Sequence, residues 1–164
     1  MRNESAGFTW IELLFGIAVV AILLALAIPS LTDATIKKQV KEGLALAELA
    51  KQGVQAAWTA KGEMPADNAA AAIPPRDKIV GNLVKDVNVD GGAITLTFGN
   101  NATKLLEGKR VTLRPAIVVD QPLVPIAWIC HAVPVPDGME IRGSDETDIK
   151  PSYLPIECRG PAAK

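Results

Sequence analysis

The chain is poor in the residues on which most catalysis depends. Its 164 positions include one histidine, two cysteines and only 4% aromatic residues. The lone histidine, His131, has no serine elbow, free thiol or second histidine to work with, so no nucleophilic triad can be assembled. It reads as a structural residue at a strand end. No Gly-rich loop follows a strand to cradle a phosphate. The expectation is therefore no enzyme, no cofactor and no metal site. A formal net charge of −1 gives the molecule as a whole no pull on nucleic acid. With few aromatics, Val, Ile, Leu and Ala must build the core. The length allows one ordinary domain plus one extra element.

Apolar residues are plentiful at 49%, but they are unevenly spread. Leu13 to Thr32 is a run of 20 uncharged positions, about the number that crosses ~30 Å of hydrocarbon as a helix. A secretory signal has a shorter apolar core followed by a small-residue cleavage site. Here a polar stretch, residues 1–7, comes first, and the apolar run continues into an amphipathic helix. A cut after Gly7 would leave the membrane helix as the new N-terminus. Glu12 has no cationic side chain within a helical turn or two, and an ionised carboxylate is costly in hydrocarbon. Either it neutralises the Phe8 amine of a neighbouring subunit in a staggered bundle, or it sits at the interface with water.

The run Gly7-Phe8-Thr9-Trp10-Ile11-Glu12-Leu13 resembles the prepilin motif of type IV pilins. The resemblance implies a prepilin peptidase that cuts after Gly7 and methylates Phe8. The short leader and the Phe at the junction are similar to the type IVa branch. Trp10 stands where Leu is usual, Ala6 where a basic residue is usual, and the leader carries Glu4; these departures bear on the rate of processing. The implied partners are copies of the chain itself, the peptidase, the inner membrane and the pilus assembly machinery.

Pro29 falls inside otherwise continuous helix, where it removes a hydrogen bond and forces a bend. Beyond it, Ile36, Val40, Leu44, Ala47, Val54 and Trp58 recur mostly at spacings of three and four, which is an amphipathic helix with one apolar stripe. From Phe8 to about Ala60 the helix spans ~80 Å. No domain of this size can bury such a rod, so lipid and then other copies must cover its first half. Gly16, Gly43 and Gly53 lower helix propensity but permit close approach of other helices. Residues 35–47 again resemble type IVa major pilins.

Gly62, Pro65, Pro74 and Pro75 mark residues 61–84 as a connecting loop with a short helical turn. Residues 86–90 and 93–98 alternate around Gly91-Gly92 as a hairpin. A third strand covers 110–114, with Pro115 ending it or placing the next residues at an edge. A fourth covers 124–133. The expected fold is α+β: the long helix packs its stripe on the one covered face of a four-stranded antiparallel sheet. The expected organisation is a leader (1–7), a helix (8–60) with a transmembrane segment (13–32), a loop (61–84) and a β-sheet head (85–164).

Cys130 and Cys158 are an even pair in a chain with an export-type N-terminus, which favours a disulfide and an oxidising compartment over two buried thiols. Closing a loop of nearly thirty residues stabilises by roughly 3.5 kcal/mol on the chain-entropy model. The enclosed segment is rich in Pro and Gly, which leaves the disulfide as its main restraint. Residues 128–130 and 153–159 resemble the ends of the disulfide-bounded region of type IVa pilins, and 92–98 and 106–115 resemble their central strands.

Two charged groups remain. The acidic run Ser144–Asp148 offers oxygen ligands to Ca²⁺ but lacks regular spacing, so it reads as a solvated turn. Lys104, Lys109, Arg110 and Arg114 could touch DNA phosphates, though dispersed surface charge is the simpler reading. The resemblance implies a type IV pilus subunit, made in the inner membrane and assembled into an extracellular filament for adhesion, twitching motility or DNA uptake. The rivals are a minor or DNA-uptake pilin and a type II secretion pseudopilin. No residue selects among host surface, DNA and motility roles.

Overall fold

The computed structural model describes residues 8–160, apart from the side chains of 27–31. The expected leader, with Gly7, lies outside the described residues, and so does the Pro29 side chain on which the expected bend rests. The chain divides into two compact units, Met1–Thr35 and Ile36–Lys164.

One helix, α1 (Trp10–Lys61, 52 residues), belongs to both units. It stops where Gly62 turns to φ 69° and its N–H closes on the Trp58 carbonyl at 2.8 Å, a left-handed end that glycine adopts without strain. In the first unit, the described side chains from Phe8 to Leu26 are exposed. Among the described residues no helix is long and apolar enough to cross a membrane. The expected span 13–32 is therefore not returned. The backbone of that run lies within α1, and the side chains of 27–31, which belong to it, are outside the described residues.

In the second unit α1 buries Ile36, Val40, Ala47, Ala50, Val54 and Trp58 against an antiparallel sheet of order β1-β2-β3-β4. The strands are β1 (Val84–Asp90), β2 (Ala93–Phe98), β3 (Arg110–Ile117) and β4 (Ala127–Cys130). Gly91 and Gly92 both take positive φ, 55° and 83°, as the mirror-image turn of a two-residue hairpin requires. Two helix glycines correct the expectation that they admit other helices. A Cβ on Gly43 would lie 2.5 Å from Phe98 Cε1, and one on Gly53 would lie 2.6 Å from the Ala71 carbonyl oxygen. They admit the sheet and the connecting loop. Gly16 has nothing within 4 Å.

Pro115 does not end β3. The strand runs on to Ile117 because Pro115 needs no donor there: its carbonyl accepts Arg142 N–H at 2.8 Å. A two-residue strand, β5 (Glu140–Ile141), pairs with β3 at Ala116 and Ile117. Ala116 also pairs with Ala127 of β4, so β4 and β5 flank β3 on opposite sides. The fourth strand is shorter than expected because His131 turns out of it at φ 49°.

The sheet has two covered faces, not one. Thr95 and Thr112 face away from the apolar residues that alternate with them, yet both are buried. Their hydroxyls meet at 3.0 Å, and Thr112 Oγ1 also accepts Glu146 N–H at 3.1 Å. The C-terminal segment closes this second face. The connecting loop is tied to the edge of β1 by Asn68, whose amide donates to the Val87 carbonyl at 3.0 Å and accepts Val89 N–H at 2.7 Å.

Candidate functional site

The N-terminal segment begins with a cap. Thr9 donates its N–H (2.9 Å) and its hydroxyl (2.7 Å) to Glu12 Oε2, and its Oγ1 receives Glu12 N–H at 3.4 Å. This reciprocal Thr-x-x-Glu arrangement is a capping box, which satisfies donors that the first turn of a helix leaves open. Glu12 thus has a partner in its own chain, one that a search for cations overlooks. The Thr9 hydroxyl, then the Thr9 N–H, holds its carboxyl below the ordinary glutamate value of 4.5. From this cap onward the helix presents Trp10, Phe15, Ile17 and Leu26 to the outside. That is an apolar surface with no cover among the described residues.

At the other end, Cys130 and Cys158 form a disulfide with Cα atoms 4.8 Å apart. It is not the only restraint on the segment it encloses. Residues 145–148 are fastened along β3 as an extra strand would be. Thr147 Oγ1 accepts Thr112 N–H at 3.0 Å, Asp148 Oδ1 accepts Arg110 N–H at 2.6 Å, and Asp148 N–H returns to the Arg110 carbonyl at 3.1 Å. Ion pairs reinforce this clasp, Arg110–Glu146 at 2.9 Å and Lys109–Asp148 at 3.6 Å, and His131 Nδ1 is hydrogen-bonded with Asp145 Oδ2 at 3.1 Å. Burial works against ionisation of Asp145, but the Thr147 hydroxyl and N–H and then His131 hold its carboxyl below the ordinary 3.8.

The clasp revises two sequence readings together. The acidic run is solvent-exposed but extended along β3 where a turn was expected, and Lys109 and Arg110 are surface charges that pair with it. Arg114 donates to the His131 carbonyl at 3.1 Å, while Lys104 stands apart. Among the described residues, no group of three or more His, Cys, Asp or Glu is placed to hold a metal ion.

A helix whose second half packs on a four-stranded sheet, with a disulfide-closed end, is matched from residue 37 to 159 by the pilin family, a family of bacterial filament proteins. Along 99% of its length the chain is 34% identical to the type IV major pilin protein PilE1 of Neisseria gonorrhoeae, covering 92% of that protein. The chain belongs to the pilin family. It is also 31% identical to a fimbrial protein of Neisseria meningitidis serogroup B, over 97% of this chain and 96% of the relative. Fimbrial protein EcpC of Eikenella corrodens is 32% identical, over 99% and 95%. As a pilin the chain is a structural protein, not an enzyme.

Proposed function

We propose that the chain is the major structural subunit of a type IV pilus. The observation that carries this reading is the helix surface from Phe8 to Leu26, which is apolar and exposed. Burying a single such side chain is worth about 1.5–3 kcal/mol, so a helix bearing many of them does not stay in water. The uncharged run from Leu13 to Thr32 holds the subunit in the inner membrane first. Packing against the helices of other copies then replaces lipid in the extracellular fibre. A prepilin peptidase cuts after Gly7 and methylates Phe8. The freed Phe8 amine approaches Glu12 of a neighbouring copy, whose carboxylate Thr9 already orients, and the pair sets the register between subunits. Pro29 bends the helix between its membrane half and its head half.

The assembled fibre serves adhesion, twitching motility or DNA uptake. Nothing favours a DNA-binding reading over the others, since Lys109 and Arg110 are engaged by carboxylates. Intact mass and N-terminal sequencing of sheared surface filaments test the reading. N-methylated Phe8 as the first residue is the expected result; Met1 retained in assembled fibres would overturn it.

A further inference from the structure

The head carries its charge unevenly from one end to the other. We propose that its two ends are complementary docking surfaces for other copies of this chain. The proposal rests on the filament reading and adds which parts of the head meet.

The base is the end at which α1 enters the head at Ile36, and the tip is the end at which it stops at Lys61. A Cβ on Gly43 would meet Phe98 and Val84, and Gln39 accepts Thr103 N–H at 3.1 Å. The start of β1 and the β2–β3 connection therefore lie at the base. At the other end, Gly91 and Gly92 donate to the carbonyls of Ala66 and Pro65. Asp120, Ile117 and Arg142 line one cleft with Trp58, Gly62 and Glu63. The β1–β2 turn and the end of β3 therefore lie at the tip.

Once internal ion pairs are set aside, the ends have opposite sign. Lys38, Lys41, Lys85 and Lys104 are exposed at the base with Lys37 half-buried beside them, and among the described residues Asp33, Glu42 and Glu107 oppose them. Glu63, Asp90 and Asp120 are exposed at the tip, where Lys61 opposes them and Arg142 is taken by Glu140 at 3.1 Å. The carbonyls that end α1 add partial negative charge to the tip. One exposed charge contributes little, and salt screens it. A patch of one sign facing a patch of the other sums these small terms and selects an orientation. Base against base and tip against tip repel, while base against tip attracts. Such a contact is heterologous and propagates without closing, as a filament requires.

The test is charge reversal in the full chain, read as the yield of sheared filaments and their survival as salt is raised. Lys85→Glu with Lys104→Glu reverses the base; Glu63→Lys with Asp90→Lys reverses the tip. Each pair should cut yield about tenfold, and the two together should restore most of it, as swapped complementary patches do. Lys85→Gln with Lys104→Gln, a milder change to the same exposed positions, should give an intermediate loss. The proposal is overturned if filaments are indifferent to either reversal, or if the combination fails to restore them. It is equally overturned if base reversal weakens only binding to anionic vesicles or DNA. Absence of filaments from the unmutated chain would instead count against the filament reading itself.

Discussion

Two stretches of one helix, Trp10–Leu26 and Ile36–Trp58, share a backbone conformation and differ in everything around it. In the second, the apolar stripe is closed off by the sheet, with Ile36, Val40 and Val54 fully buried. In the first, Ile17 is 58% and Leu26 71% exposed. Helix propensity does not separate them, since both are rich in Leu and Ala. What separates them is cover. The head supplies its own, and the N-terminal stretch has none among the described residues. A helix can thus be half of a domain and half of an assembly.

The sharpest way to break this comparison uses the helix glycines. Gly43→Leu drives a side chain into Phe98 and should abolish the cooperative thermal transition of the head in detergent-solubilised protein. Gly16→Leu, with open space around it, should leave that transition unchanged and act only on filament formation. A smaller effect separates bond from clasp at the C-terminal end. Cys158→Ser should cost about 3 kcal/mol in denaturant unfolding, yet the Thr112 and Asp148 amides should stay protected in hydrogen exchange. Loss of that protection would make the disulfide the main restraint after all.

Asn68→Ala strips two partners from the edge of β1 and should cost about 2 kcal/mol, again with no consequence for the N-terminal segment. The smallest effect is acid sensitivity. Asp145 is held below the ordinary 3.8, so its contribution is present above that value and lost as pH falls through its lower folded value. Asp145→Asn should flatten the decline in head stability below about pH 4, measured by melting temperature against pH.

Much of this was legible in the sequence where the signal is local. The stripe from Ile36 to Trp58, the hairpin around Gly91-Gly92 and the cysteine pair arise from periodicity, turn chemistry and parity. What escaped is long-range. No local pattern says that Pro115 will lie within a strand, that Glu140–Ile141 will find its far end, or that Thr147 and Asp148 will fasten to β3. The expectation of one covered face left the side of Thr95 and Thr112 open, and the returning C-terminal segment covers it. At the site, Phe8 and Glu12 stood out by charge and hydropathy. Thr9 did not, although its spacing to Glu12 is the signature of a capping box.

The central claim is that the exposed face of Trp10–Leu26 is covered by other copies in the fibre. Ile17→Cys, probed with a water-soluble maleimide, tests it directly. The account predicts that this cysteine is unreactive in intact sheared filaments and reacts once detergent dissociates them. Equal labelling before and after dissociation would contradict it.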